Sequence, residues 1–132
     1  MSAPPSLLMV NAFIGTANYK KLYQELGYAV VTEWSERKAI ALVRKTPPAV
    51  IVADFFHQTD FRDRLSNLES LLATAQASAD TRILVFYEPA HQAALDKVAA
   101  RLRIDAALTL PVQEDPLRRI LQDWMEASRA SA

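Results

Sequence analysis

The sequence predicts an α/β protein in which helices cover both faces of a parallel β-sheet. Short apolar runs rich in β-branched residues recur along the chain and alternate with stretches of helical period. One run, residues 49–54 (AVIVAD), is almost continuously apolar, which is typical of a central strand buried on both faces. Strands that alternate with helices favour right-handed crossovers, and these crossovers build a parallel sheet.

Length and composition indicate one folded domain. We expect a single domain over residues 1–132, with short flexible tails at about 1–5 and 128–132. Apolar residues make up 51% of the chain and charged residues 23%, a balance that favours a packed core over disorder. Fifteen basic residues offset fifteen acidic ones, so no net charge attracts nucleic acid or an anionic membrane.

The composition also excludes several classes of site. The absence of cysteine excludes disulfides, thiolate nucleophiles and cysteine-based metal sites, and two glycines are too few for a glycine-rich phosphate loop. No HExxH or nucleophile-elbow motif occurs, so we do not expect an enzyme. No apolar run has the length of a signal peptide or a membrane span, and a cytoplasmic protein is expected.

Two strand–helix units precede the central run. Residues 6–13 and 28–34 are predicted to form the first two strands. An apolar stripe of helical period follows the first strand and stops at Gly27, the residue type that most often ends a helix. Ser35 is a good N-cap for the second helix, which two prolines end before the central strand. The predicted inner faces carry Tyr19, Leu22, Tyr23 and Leu26 in the first helix, and Ala39, Leu42 and Val43 in the second.

Three helices and two strands follow the central run. Residues 55–63 are irregular and are interpreted as a loop that leads into the third helix. Residues 82–87 and 106–110 are short and apolar and are predicted as the last two strands. Pro89 and the pair Asp115–Pro116 suit the first turns of the last two helices. The predicted inner faces carry Leu65, Leu68, Leu72 and Ala75, then Leu95, Val98, Ala99 and Leu102, and finally Leu117, Ile120, Leu121, Trp124 and Met125.

Five such units cannot close an eightfold barrel. We therefore predict a three-layer, doubly wound, open sheet of the flavodoxin-like type, with strand order 2-1-3-4-5. In an open sheet of this type, functional groups collect beyond the carboxyl ends of the strands. Asp54 is the first polar residue at that edge of the central strand.

The order of these features resembles the receiver domains of bacterial response regulators. The resemblance rests on the five-unit pattern, on Asp54 at the end of the third strand and on Pro111 just after the fifth, and it spans nearly the whole chain. It implies a receiver-like fold and a role in two-component signal transduction, with Asp54 in the position of the phosphoacceptor aspartate. Phosphoryl transfer to that aspartate requires a magnesium ion that neutralises charge on the incoming group.

Two charged features of the receiver pattern are missing around Asp54. The acidic pair that holds magnesium at the end of the first strand is replaced by Asn11 and Ala12. The lysine that contacts the phosphoryl group is replaced by Leu110, which precedes Pro111. An amide, a methyl group and an isobutyl group carry no charge, so the resemblance implies weak magnesium binding at most.

Tyr87 and Glu88 stand where the family carries a hydroxyl residue followed by a small one. A large ring and an added negative charge would crowd and repel a phosphoryl group. The aromatic switch residue of the fifth strand aligns with Ala107. We hypothesise that Tyr87 fills the space that this ring would use and holds the domain in one state.

Aromatic side chains collect at or just beyond the carboxyl ends of the predicted strands. Two interpretations remain open: the rings pack beneath loops in the local core, or they form an exposed patch that binds a protein. The candidate interaction rim comprises Trp34, Phe55, Phe56, His57 and Phe61. A second candidate surface carries Arg101, Arg103, Arg118 and Arg119, for which a solvated face is the favoured interpretation.

We predict a stand-alone, non-catalytic pseudo-receiver that acts as a phosphorylation-independent signalling and protein–protein interaction module without a cofactor. Its partner would be another protein or a second copy in a homodimer, and neither nucleic acid nor a membrane. The first alternative is a functional single-domain response regulator that is phosphorylated on Asp54 and binds magnesium weakly. The second is a small-molecule site in a pocket at the rim, beside Trp34 and Tyr87.

Overall fold

The computed structural model describes residues 4–10, 19–55 and 68–130, and it contains a five-stranded parallel sheet. The strand order is β2-β1-β3-β4-β5, which confirms the predicted order. The strands are β1 (Ser6–Val10), β2 (Ala29–Glu33), β3 (Val50–Asp54), β4 (Arg82–Tyr87) and β5 (Ala106–Thr109). The helices are α1 (Lys20–Glu25), α2 (Glu36–Lys45), α3 (Glu69–Ala75), α4 (Gln92–Ala99) and α5 (Glu114–Ala130), and a 3-10 turn over Pro89–His91 precedes α4.

Local sequence signals set the ends of the first two helices. Gly27 follows α1 with a φ of 103°, a left-handed conformation that costs glycine little because it has no Cβ. Ser35 caps α2, since its side-chain oxygen accepts a hydrogen bond of 3.3 Å from the backbone N–H of Lys38. Both features agree with the sequence pattern. The cap at Ser35 places the start of α2 close to the carboxyl end of β2.

The sheet separates two apolar layers. All five residues of β3 are buried, as predicted for a central strand. The side chains of Ile51 and Ala53 in β3 pack with α2, α3 and α4 on one face of the sheet. Those of Val50 and Val52 pack with α1 and α5 on the other face. Because all neighbouring strands are parallel, their carboxyl ends lie at the same edge of the sheet.

Several predicted boundaries differ from the structure. Leu42 is 37% exposed and lies on a flank of α2, not on its inner face. Ala99 is exposed and Leu102 lies beyond the end of α4, because the helix stops one turn earlier than the apolar stripe suggests. The last helix continues through Ala130, so residues 128–130, expected as part of a tail, are helical. The end of the predicted first strand, residues 11–13, lies outside the described residues.

Candidate functional site

Asp54 ends β3 and is completely buried. Its register partner on β4 is Phe86, and the next backbone N–H, that of Phe55, donates a hydrogen bond of 2.7 Å to the carbonyl of Phe86. Because side chains alternate along a strand, Asp54 shares the face of Val50 and Val52, which α1 and α5 cover. The carboxylate is therefore held inside the carboxyl edge of the sheet.

Tyr23 of α1 approaches this carboxylate from the helical layer. Its side chain is fully buried, and its hydroxyl has no hydrogen-bond partner among the described residues. Burial raises the pKa of Tyr23 far above its ordinary value, and the negative charge of Asp54 raises it further. The phenol beside Asp54 is therefore neutral at physiological pH. The sequence assigned Tyr23 to the core only, and no local signal marked its proximity to Asp54.

Tyr87 ends β4 on the other face of the sheet. Its ring is buried at 8% exposure, and its hydroxyl donates a hydrogen bond of 2.5 Å to Oε1 of Gln92. Nε2 of Gln92 in turn donates to Oδ1 of Asp96 at 2.8 Å. Glu88 is exposed, so its charge faces solvent. These side-chain hydrogen bonds join the end of β4 to α4. The sequence did not predict them because a turn separates Gln92 from Tyr87.

Leu110 and Pro111 follow β5 at the same edge. The backbone N–H of Leu110 donates a hydrogen bond of 2.8 Å to the carbonyl of Tyr87, and the Leu110–Pro111 peptide bond is cis. The Leu110 side chain is partly buried against the apolar layer of α1 and α5, on the same face of the sheet as Asp54. An apolar group therefore occupies the position that the resemblance assigns to a cation. Ala107 lies opposite Val85 and is exposed.

Solved structures with the same architecture identify the fold of the chain. The chain superimposes on the signal receiver domain of an HD domain-containing protein from Pseudomonas fluorescens with a TM-score of 0.73 and 16% identity, over 99% of this chain and 93% of the other. It matches the signal receiver domain of a modulated diguanylate cyclase from Desulfovibrio desulfuricans with a TM-score of 0.72 and 18% identity, over 98% and 99% of the two chains. The chain has the fold of a response-regulator receiver domain.

A third similar structure holds a metal. The receiver domain of a sensor histidine kinase from Pseudomonas aeruginosa, which was solved with a magnesium ion coordinated in its active-site cleft, has a TM-score of 0.64 and 20% identity over 94% of this chain and 99% of the other. No protein-family model and no curated protein sequence matches the chain. These identities are low, so the similarity concerns the receiver fold.

The described residues at the carboxyl edge do not supply the donor set of the usual magnesium site of a receiver. Magnesium in proteins is held by one or two carboxylates together with waters. Here Asp54 supplies one carboxylate, but it is completely buried. The sequence positions that would supply the acidic pair, Asn11 and Ala12, carry an amide and a methyl group and lie outside the described residues. Residues 4–10, 19–55 and 68–130 contain no cluster of three or more potential metal-ligating His, Asp or Glu side chains.

The candidate rim of the receiver fold is only partly described. Trp34 is 56% exposed just after β2. Phe55 was predicted to belong to the same rim, but it is 1% exposed and packs in the layer of α2, α3 and α4. It is a core residue because alternate side chains after β3 point to the same face, and Phe55 follows Ile51 and Ala53 in this alternation. The remaining rim residues, Phe56, His57 and Phe61, lie outside the described residues.

The larger of two described cavities lies at the opposite edge of the sheet. It has a volume of about 960 Å³ and is lined by residues at the amino ends of the strands, such as Pro48 and Arg82, and by Trp124 of α5. The smaller one is a groove between α2 and α3, lined by Ile40, Arg44 and Ser70 among others. Neither is lined by Trp34 or Tyr87, the two residues of the pocket suggested by the sequence.

The candidate arginine surface is divided by the structure. Arg101 forms an ion pair with Glu69, and Arg118 pairs with Glu114 one helical turn away at 3.3 Å. Arg103 points to the amino edge of the sheet, where its guanidinium donates to the carbonyl of Thr81 at 2.6 Å. Arg103 is thus part of the framework and not of a recognition surface. None of the described helices is both long and apolar enough to cross a membrane.

Proposed function

We propose that this receiver-fold chain is a protein-interaction module whose activity does not depend on phosphorylation of Asp54. The observation that carries the proposal is the environment of that carboxylate, which is completely buried beside a neutral phenol. A receiver that is phosphorylated must expose this group to a phosphodonor and must neutralise the charge that the phosphoryl group adds. The described groups around Asp54 favour neither step.

Two positions near Asp54 differ from a receiver in the groups they offer to a phosphoryl group. Leu110 places an apolar side chain on the Asp54 face where a receiver carries a lysine. Tyr87 stands at the end of the adjacent strand where a receiver carries a small hydroxyl residue, but its ring lies on the face opposite Asp54 and its own hydroxyl is already bonded to Gln92, so it offers no hydroxyl to a phosphoryl group. The described residues near Asp54 supply neither that cation nor a cluster of metal ligands, so a transferred phosphoryl group would lose most of its electrostatic stabilisation, usually the largest single contribution to catalysis of this kind.

One observation favours the alternative of a functional receiver. Asp54 lies at the carboxyl end of β3 in the middle of a sheet whose order and coverage match solved receiver domains over nearly their whole length. A phosphorylated response regulator would therefore need only a rearrangement of the groups around this carboxylate. Binding of a phosphoryl mimic at Asp54 separates the two functions.

The test is a titration with magnesium and beryllofluoride, a mimic of the phosphoryl group, followed by ¹H–¹⁵N spectra. We expect the amide shifts of Asp54, Tyr87 and Leu110 to stay unchanged in the wild-type protein. The matched control is Asp54→Asn, which has nearly the same shape but cannot accept the mimic. Saturable shifts in the wild type that disappear in the Asp54→Asn protein would overturn the proposal and establish the functional receiver.

The interaction itself is tested by comparing two variants of the purified protein as bait. Trp34 is the most exposed large apolar residue of the described rim, and interface hot spots are enriched in tryptophan. We expect proteins that bind the wild type to bind Asp54→Asn equally and to be lost from Trp34→Ala. Loss of the same proteins from Asp54→Asn, with Trp34→Ala unaffected, would contradict a phosphorylation-independent module.

A further inference from the structure

The exposed apolar surface of the described residues is concentrated in one place. The large apolar side chains with substantial exposure are Val31 at 44%, Trp34 at 56% and Leu42 at 37%, and all three belong to the stretch from β2 to α2. Singly exposed apolar residues are common, but a cluster on neighbouring elements indicates an interaction surface.

Val31 and Leu42 lie on the same side of the sheet, near its β2 edge. Val31 is the register partner of Leu8, whose side chain lies in the layer covered by α2, so Val31 is on the same face. The flank of α2 that carries Ile40 and Arg44 faces α3, as the groove beside Ser70 shows. Leu42 lies on the opposite flank, which is directed towards β2. The helix therefore leaves Val31 uncovered at the edge.

The backbone of β2 is open on the same side. β2 is the first strand in the sheet order, with β1 on one side only. The N–H of Ala29 bonds to the carbonyl of Pro5, immediately before β1, at 2.9 Å. Because backbone groups of alternate residues point to the same neighbour, Val31 and Glu33 also face β1, whereas the N–H and C=O groups of Val30 and Thr32 point outward.

We propose that the outer edge of β2 pairs with β2 of a second copy of this chain, antiparallel and about a twofold axis at Val31. Such an interface is isologous, because the same patch is used by both copies. It continues the five-stranded sheet of one copy into that of the other. The inference goes beyond the proposed function, since it does not involve Asp54 or the residues around it.

In this arrangement the outward backbone donors and acceptors of β2 in one copy are complementary to those of β2 in the other. With the axis at Val31, Val30 of one copy lies opposite Thr32 of the other, and each such pair exchanges two N–H···O=C bonds. All outward backbone groups of Val30 and Thr32 are then satisfied. The two Val31 residues form the closely spaced pair at the centre, and both are β-branched residues that pack well across strands.

Charge complementarity supports a second copy as the occupant. α2 ends at Lys45, shortly before the chain re-enters the sheet at Ala49. The N–H of Ala49 bonds to the carbonyl of Ser6, and Ser6 is the register partner of Ala29. The chain therefore re-enters the sheet at the level of Ala29. Antiparallel pairing places Glu33 of one copy opposite Ala29 of the other. Glu33, one carboxylate oxygen of which accepts a hydrogen bond of 3.1 Å from the backbone N–H of Ser35, then lies at the same end of the interface as the exposed Lys45 of the second copy, and symmetry repeats this pairing on the other side of the axis.

The other edge strand is less suited to pairing. β5 has only four residues, is preceded by the ion pair of Arg103 with Asp105 at 3.4 Å, and is followed shortly by Pro111. Short strands, charges and proline are the features by which proteins protect exposed edges. The central residues of β2 carry no charge and no proline, so this strand lacks such protection within the described part of the chain.

The first experiment measures the mass in solution over a dilution series from millimolar to micromolar, by sedimentation equilibrium. We expect a species of twice the 14.7 kDa chain mass that dissociates on dilution. Val31→Lys introduces an edge charge at the axis and is expected to abolish the dimer. Ala107→Lys, at an exposed position of the opposite edge strand, is the matched control and should leave the dimer intact. Circular dichroism verifies that both variants are folded.

A monomer at every wild-type concentration would overturn the inference, and so would a dimer that survives Val31→Lys but is lost in Ala107→Lys. A charge exchange then tests the register. Glu33→Lys and Lys45→Glu should each weaken the dimer, and the double variant should recover most of the wild-type affinity. Equal weakening in the double variant would contradict the antiparallel register. Magnesium and beryllofluoride play no part in these measurements, so their outcome is separate from that of the Asp54 titration.

Discussion

The hydroxyl of Tyr87 donates a hydrogen bond of 2.5 Å to Oε1 of Gln92, and this contact ties the end of β4 to the first residue of α4. Gln92 is itself held by Asp96 one turn later, so the acceptor is not free to rotate away. The ring is 8% exposed and belongs to the apolar layer of α2, α3 and α4. The contact supports the hypothesis that Tyr87 holds this part of the receiver fold in a single state.

Two substitutions at Tyr87 separate the ring from its hydroxyl. Tyr87→Phe keeps the ring and removes the hydrogen bond, and we expect a loss of about 1 kcal/mol in the free energy of unfolding with little new motion. Tyr87→Thr also removes the ring and leaves a cavity, so we expect a loss of about 3 kcal/mol and microsecond-to-millisecond exchange in β4, α4 and β5. Relaxation-dispersion spectra measure this exchange. A Thr variant without new exchange would contradict the locking hypothesis.

A comparison of Tyr23 with Tyr28 measures the free-energy cost of burying a hydroxyl that lacks a hydrogen bond. The hydroxyl of Tyr28 donates a hydrogen bond of 2.6 Å to the carbonyl of Leu121, whereas that of Tyr23 has no partner among the described residues. We expect Tyr28→Phe to lower the free energy of unfolding by about 1 kcal/mol and Tyr23→Phe to leave it unchanged or raise it by a similar amount. Urea unfolding measures both values. A large loss in Tyr23→Phe would show that its hydroxyl has a stabilising partner.

The same tyrosines predict how stability depends on alkaline pH. Burial raises the pKa of Tyr28 to about 12 from 10.0, and the pKa of Tyr23 is raised as well. Above pH 10 the unfolded chain loses these protons while the folded chain keeps them, so the unfolded state gains stability. The contribution is fully present below about pH 10 and is lost as the pH rises towards 12. Thermal melts over this range should show a shallower decline in Tyr28→Phe than in the wild type.

Arg103 is predicted to stabilise the amino edge of the sheet. Its guanidinium donates to the carbonyls of Thr81 at 2.6 Å and Ser78 at 3.4 Å, and its Nε lies 3.4 Å from Oδ2 of Asp105. We expect Arg103→Met to lower the free energy of unfolding by about 2 kcal/mol, because charged hydrogen bonds to carbonyls are lost. The control is Arg101→Met, which removes an ion pair whose arginine is 60% exposed and should change stability by less than about 1 kcal/mol. Equal effects would contradict a framework role for Arg103.

Strand and helix order could be predicted because each element carries its own pattern. Arg82–Tyr87 is found with the predicted bounds, and the cap at Ser35 and the stop at Gly27 are confirmed. These features depend on residues within a few positions of one another. The apolar alternation also predicted that β3 is buried on both faces, since a run such as VIVA leaves no polar side for solvent.

Contacts across the fold could not be predicted in the same way. The parity that turns Phe55 inward depends on where β3 ends relative to its neighbours, and one residue of register moves a side chain to the other face. The exposure of Leu42 depends on how far α2 lies from the sheet edge, and the apolar stripe of its helix gave no sign of it. The sequence around Arg103 is that of a surface charge, because its carbonyl acceptors lie more than twenty residues earlier in the chain.

The sequence by itself determined that five strand–helix units form a doubly wound sheet with Asp54 at its carboxyl edge, because hydrophobic period and turn residues are local properties of the chain. Only the tertiary structure decided what surrounds that carboxylate: on its own face the buried hydroxyl of Tyr23, which has no partner among the described residues, and on the opposite face, at the end of the adjacent strand, the ring of Tyr87 bonded to Gln92. It also decided that β2 keeps an open, apolar edge. These relations join residues distant in sequence, and they exist only once the packing of both helical layers has set the distances between them.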